Sequence, residues 1–136
     1  MTLPILCFDL DGTLLDGKGR IHPQDAALLA DPEPLALFIP ATGRPLGSVR
    51  LTFNKNGLFV GRKLPFPLIL ENGSILYAGG EKLVSFLPFD CQAQSDLIDL
   101  AGQHPQVTFL FMGLEEVHVE HPSPFGRRRS RGGSWR

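Results

Sequence analysis

The stretch CFDLDGTLLD, residues 7–16, decides the reading of this chain. An apolar run from Leu3 to Phe8 predicts a buried strand. It ends on Asp9, and Asp11 follows after a single leucine. Carboxylates at the end of a core strand are costly unless a cation or a hydrogen-bond donor meets them. In extended chain residues i and i+2 share a side, so the two acids converge. A hard cation between them resolves the repulsion, and magnesium, held by one or two carboxylates together with a phosphate, suits that place. Gly12 lets the chain turn sharply behind the acids and bare its backbone N–H groups. The plain alternative is an Asp-Gly turn at a solvated strand end.

Working outward, residues 10–22 are polar and glycine-rich and predict a loop or tight hairpin. PQDAALLAD at 23–31 predicts a short helix with Pro23 in its first turn, stopped by DPEP at 31–34. LALFIPA at 35–41 predicts a second buried strand, with Pro40 removing one ladder donor near its end. TGRP at 42–45 turns into a second helix over roughly 45–56. PLILE at 67–71 predicts a third strand, NG at 72–73 a hairpin, SILYAG its partner, and KLVSF at 82–86 a further strand. The order β-α-β-α-β followed by a hairpin argues for an α/β fold built on a Rossmann-like parallel sheet. Beyond residue 90 the texture changes. A helix is predicted over 92–103 with Leu97, Ile98 and Leu100 as core positions, then strands at 107–112 and 115–120 around Gly113.

In a parallel sheet ligands bind outside the carboxyl ends of the strands. Asp9 ends the first strand and Thr42 and Gly43 end the second, 33 residues on from Asp9 to Thr42, a normal length for one βαβ unit. Thr42 offers a hydroxyl, Gly43 admits a ligand close to the backbone, Arg44 adds positive charge, and the helix after Pro45 points its N-terminus at the same edge. This is a setting for a bound phosphate. A bland alternative makes Thr42 a helix cap. Asp16 reads as a loop acid, and Asn72-Gly73 as a turn before a substrate contact.

DLDGTLLD at 9–16, ATGRP at 41–45 and LENGSILY at 70–77 together resemble the haloacid dehalogenase superfamily, in its branch of Cof-like, sucrose-phosphate and mannosyl-3-phosphoglycerate phosphatases. The resemblance covers residues 3–86 and extends loosely beyond. It implies Mg²⁺-dependent hydrolysis of a phosphate monoester through an aspartyl-phosphate. Asp9 would attack phosphorus, and Asp11 would protonate the leaving oxygen and then activate water. Asp9 and Asp11, the latter through its carbonyl, would hold Mg²⁺. Leu10, Thr42, Gly43 and Arg44 would contact the phosphate or substrate. The implied partner is a small phosphorylated metabolite.

The resemblance also implies two later motifs, a lysine and an acidic Gly-Asp pair. This sequence contains no Gly-Asp pair, and Lys18, Lys55, Lys63 and Lys82 all precede the point where an inserted cap would end. The expected organisation is therefore an incomplete phosphatase core at 1–88, a partial α+β cap at 89–121 and a disordered basic tail at 122–136. Such a chain would be catalytically impaired. The competing expectation is an inactive fragment that binds phosphate weakly or needs a partner chain. The tail's composition suggests a replaced continuation, as a frameshift leaves. Reading the coding DNA past codon 121 in the other frames tests this, and failure to find a later lysine and Gly-Asp motif counts against it.

Composition sets outer bounds. The chain has 136 residues, 43% hydrophobic and 20% charged, enough for a core. Residues 1–126 hold eight basic side chains against all fourteen acids, and five arginines follow in the last ten residues. Nucleic-acid binding is disfavoured for the body, and only the tail has the charge for it. No apolar run has the length of a membrane span and no signal peptide is visible, so a cytoplasmic setting is expected. Cys7 and Cys91 suggest no disulfide framework, with Cys7 expected in the core. His118, Glu120 and His121 do not share one face of a strand, which argues against a metal site there. Nothing in the sequence fixes an oligomeric state.

Overall fold

The computed structural model describes residues 3–31, 35–114 and 117–120. The proposed tail at 122–136 and His121 lie outside the described residues. The chain divides into two compact units, Met1–Leu87 and Pro88–Arg136.

In the first unit, β1 (Ile5–Phe8), β2 (Leu37–Pro40) and β3 (Leu68–Leu70) run parallel, with α1 (Pro23–Ala30) and α2 (Leu46–Lys55) as the crossovers. β1 pairs with β2 from Ile5↔Leu37 to Phe8↔Pro40. β2 joins β3 through the Ala41↔Ile69 bridge, where the Thr42 N–H donates to the Ile69 carbonyl at 2.9 Å. β4 (Ile75–Ala78) and β5 (Lys82–Phe86) extend β3 as an antiparallel meander. Pro40 is accommodated because it falls on the last paired position of its strand. The α/β class and every element of this unit follow the sequence reading to within two residues at each end.

The hairpin after β3 differs in detail. Leu70 pairs with Ile75, so four residues form the loop, and Glu71–Gly73 makes a 3₁₀ turn instead of a two-residue turn. Glu71, Asn72 and Gly73 all have positive φ, at 51°, 57° and 96°. Glycine takes that conformation freely, asparagine tolerates it, and a glutamate there is strained.

Burial corrects a second expectation. The apolar run predicts β1 as a buried strand with Cys7 in the core, yet Ile5 is 67% exposed, Leu6 is 52% exposed and Cys7 is exposed. Leu37 on β2 is exposed as well. A strand is buried only where layers cover both faces. Here β1 is paired on one side only among the described residues. The core lies instead under α2 and β3. Val49, Phe53, Leu64, Leu68, Leu70 and Leu10 are all but inaccessible, and Phe53, Phe59 and Phe66 pack edge-to-face and tilted at 5.4–6.0 Å.

One buried charge joins this core. Glu81, at the β4–β5 turn with φ +59°, receives both a fork of hydrogen bonds from Arg50 on α2 and the Leu64 N–H at 3.0 Å. Its side chain is 1% exposed. Burial opposes ionisation, but the Arg50 and Leu64 hydrogen bonds outweigh it and hold the carboxyl below its ordinary value. Glu81→Ala is expected to cost about 2–3 kcal/mol, the range for losing hydrogen bonds to a charged group and stranding a buried N–H. Because the folded pKa is depressed, this contribution is complete above the ordinary carboxylate pKa and fades as pH falls through the folded value. Urea unfolding of both proteins at pH 7 and in mild acid checks this: the gap between them narrows on acidification.

The second unit consists of α3 (Cys91–Gln103), capped by Asp90 through the Ala93 N–H, and the antiparallel pair β6 (Phe109–Met112) and β7 (Val117–Glu120). The expected core positions on α3 are partly corrected. Ile98 and Leu100 are exposed, Leu97 is half-buried, and Ala101 is the buried residue. The covered face therefore follows the i, i+4 spacing from Ala93 through Leu97 to Ala101. His118 pairs with Glu120 on its own strand at 3.0 Å. Among the described residues no three His, Cys, Asp or Glu side chains gather as for a metal ion. No described helix is long and apolar enough to cross a membrane.

Candidate functional site

The three parallel strands end on one edge of the sheet, and their last residues wall a cleft of about 420 Å³. Asp9 comes from β1, Ala41, Thr42 and Gly43 from the end of β2, and Ile69, Asn72 and Gly73 from the end of β3. The sequence placed Asp9, Thr42 and Gly43 here, and the structure brings all three together. Asn72 and Gly73 complete the wall. Their sequence signal, a turn dipeptide directly after an apolar strand, was read chiefly as a hairpin.

Asp9 closes β1 with its side chain turned back on the next peptide: Oδ1 accepts the Leu10 N–H at 2.7 Å. Behind it the chain curls tightly. The Leu14 and Leu15 N–H groups donate to the Asp9 and Leu10 carbonyls, and Gly12 takes φ +78°. Leu10 does not present its side chain to the cleft. That side chain is wholly buried, so only main-chain atoms of Leu10 are available to a ligand. Asp16, read as a loop acid, is one. It gathers the N–H groups of Lys18 and Arg20 and the Arg20 side chain, which fixes the 16–20 turn and holds its carboxyl low.

Asp11 and Arg44 do not line the cleft wall. They bind each other. Arg44 Nε donates to Asp11 Oδ2 at 2.7 Å and Nη2 donates to Oδ1, while Nη1 donates to Thr52 Oγ1 on α2 at 2.8 Å. These Arg44 bonds hold the Asp11 carboxyl below the usual carboxylate range. The cation that meets Asp11 is thus a guanidinium, in the bidentate geometry that arginine favours. Thr42 is buried, its Oγ1 accepts the Arg44 N–H at 3.3 Å, and its hydroxyl proton is left free to donate.

Glu71 stands at the back of the turn. Its Oε1 is buried with no hydrogen-bond partner, and burial raises its pKa. A raised carboxyl pKa penalises folding once pH exceeds the ordinary value, and the penalty levels off above the folded value. Glu71→Gln is therefore expected to stabilise the protein at pH 7 by up to about 1 kcal/mol, by sparing it a buried charge. The gain should vanish near pH 3, where both carboxyl states are protonated. Thermal unfolding at the two pH values reads it directly.

A magnesium ion can be weighed against these donors. Asp9 supplies a carboxylate with one oxygen that accepts no hydrogen bond among the described residues, and the Asp11 main-chain carbonyl is a second hard oxygen. The Asp11 carboxylate is occupied on both oxygens by Arg44. One carboxylate and a carbonyl, with water and phosphate filling the remaining positions, fit the way magnesium is usually held.

Comparison with known proteins agrees with this architecture. No curated protein sequence matches the chain. Among solved structures, TM0651 from Thermotoga maritima superposes with a TM-score of 0.68 at 24% identity, over 87% of this chain and 42% of that one. The phosphatase BT1666 from Bacteroides thetaiotaomicron gives 0.66 at 19%, over 90% and 43%. The subclass IIB sugar phosphatase BT4131 gives 0.63 at 21%, over 92% and 46%. The chain thus spans less than half the length of these structures, and at such identities the likeness concerns the fold. The haloacid dehalogenase-like hydrolase family matches residues 6–133. The chain belongs to the haloacid dehalogenase-like hydrolases.

Proposed function

We propose that the cleft is the nucleophile-and-phosphate half of a phosphate-monoester hydrolase acting on a small phosphorylated metabolite, a sugar phosphate being the class its fold relatives suggest. The observation that carries the reading is the meeting of Asp9, Thr42 and Gly43 at one sheet edge from strand ends far apart in sequence. Asp9 attacks phosphorus through its free oxygen, the ester P–O bond breaks, and a covalent aspartyl-phosphate forms. The Thr42 hydroxyl and the Gly43 N–H, which makes no hydrogen bond among the described residues, hold phosphoryl oxygens. Mg²⁺, held by Asp9 and the Asp11 carbonyl, would neutralise phosphate charge. Asp11 handles the proton of the leaving oxygen and then of water. While Arg44 grips both its oxygens it is ionised and has no proton to give, so this role begins with release from Arg44.

We further propose that these 136 residues alone turn over slowly. No lysine or arginine lines the cleft among the described residues, and the sequence has no Gly-Asp pair. Without a later lysine and further acids for the metal, several kcal/mol of transition-state stabilisation are missing, and Arg44, whose charge does reach Asp9, is engaged with Asp11. Release of phosphate from p-nitrophenyl phosphate with and without Mg²⁺ tests both claims. A slow, Mg²⁺-dependent rate that requires Asp9 is expected. Turnover near 10 s⁻¹, about the median for enzymes, would sink the second claim. A rate indifferent to Asp9 would sink the first.

A further inference from the structure

We infer that Asn72 is a substrate-contacting residue of this cleft, its side-chain amide donating to a non-bridging oxygen of the phosphoryl group held over Asp9. The inference rests on the phosphate reading above and adds a donor from a third strand end.

Three observations converge. First, Asn72 lines the same cleft as Asp9, Thr42 and Gly43. Second, its position is imposed by the backbone. It is the middle of three successive left-handed residues, and its N–H donates to the Thr42 carbonyl at 3.3 Å, which ties the end of β3 to the end of β2. That bend costs conformational energy at Glu71 and Asn72, and its effect is to bring the Asn72 side chain over Gly43. A Cβ on Gly43 would lie 2.9 Å from Asn72 Oδ1 and 3.4 Å from Nδ2, so the space that glycine leaves open is taken by this amide. Third, the amide is unspent: Asn72 is exposed and lines the cleft, and among the described residues its side chain makes no hydrogen bond.

The chemistry explains why a neutral donor is useful here. A phosphate dianion approaching the Asp9 carboxylate meets like charge, and no basic side chain lines the wall among the described residues. Hydrogen bonds from a hydroxyl, a main-chain N–H and an amide are what the wall itself offers. An amide N–H to an ionised oxygen belongs to the stronger class of hydrogen bond. An aspartate at the same place would have the same outline and the same tolerance of positive φ, and would repel the ligand.

The test is titration of the full chain with inorganic phosphate, with and without Mg²⁺, followed by amide chemical shifts or calorimetry. Asn72→Gly removes the amide and keeps a residue at ease at φ +57°. Asn72→Asp keeps shape and backbone tolerance and replaces the donor with a charge. Thr42→Ala reports on the cleft independently. Expected are a roughly tenfold weaker dissociation constant for Asn72→Gly, as for one charge-assisted hydrogen bond, and a larger loss for Asn72→Asp. Wild-type binding that Thr42→Ala weakens but neither Asn72 variant changes would overturn the assignment and leave the phosphate reading intact. Absence of saturable phosphate binding by the wild type would overturn both. Circular dichroism and unfolding midpoints show that the variants are folded. Should Asn72→Gly fail to fold, Asn72→Ala, checked for folding in the same way, removes the amide without adding charge and decides.

Discussion

Asp9→Asn is expected to reduce Mg²⁺-dependent phosphate release to the rate without protein, on the order of 10⁴-fold below any wild-type rate, as for loss of a nucleophile. The substitution is nearly isosteric. Its side-chain oxygen still accepts the Leu10 N–H, so the turn behind it has no reason to open. An amide oxygen is a poor nucleophile, however, and a neutral amide is a weak magnesium ligand. The decisive comparison is therefore between activity and stability: the unfolding midpoint in urea should stay close to wild type while the rate disappears. Loss of both together would mean that Asp9 supports the fold and would remove the case for it as nucleophile. Retained activity would place the nucleophile elsewhere.

Phe53→Ala is expected to destabilise the first unit by about 3–5 kcal/mol, the range for emptying a large aromatic from a packed core. Phe53 is fully buried on α2 and touches both Phe59 and Phe66 at ring-centroid distances of 6.0 and 5.5 Å, so neighbours on two segments lose their partner at once. Domains are held by margins of about 5–15 kcal/mol, and this one exposes much of β1, so such a loss should leave a large fraction unfolded at 37 °C. The damage reaches the site. Thr52, next in the chain, anchors Arg44, which in turn holds Asp11. Phe53→Leu, which keeps most of the volume, should recover more than half of the stability. A Phe53→Ala protein with an unchanged midpoint would show that the aromatic cluster is not the centre of the core.

How much was legible in the sequence follows from what kind of information each feature needs. Strands and helices came through because their signals are local: KLVSF at 82–86 became β5 to the residue, and Pro23 opened α1. The meeting of Asp9, Thr42 and Gly43 at one place was legible because the carboxyl ends of parallel strands share one edge of the sheet. The failures concern what covers or meets a residue. An apolar strand reads as buried whether or not anything lies over it, so Ile5 and Cys7 were misjudged. The same holds for Ile98 and Leu100, where apolar character marked residues that face water. Arg44 is expected from its charge to contact substrate, and the structure adds a partner that the sequence does not reveal, Asp11. The Arg50–Glu81 fork joins positions 31 apart with no shared pattern, and the left-handed twist of Glu71 is carried by a residue that rarely adopts it.

The one-sided pairing of β1 has a consequence for how the protein behaves in company. Among the described residues, Ile5–Phe8 offers a row of backbone donors and acceptors on its outer side, flanked by the exposed Ile5, Leu6 and Leu37. Such a margin is a template for another strand. Two copies that met along it would satisfy each other's open peptide groups and hide their apolar side chains in the same step. Pairing of this kind would rise with concentration, which sedimentation over a dilution series reads, and the cleft beside Asp9, built on the carboxyl end of that same strand, would then sit at a seam between copies.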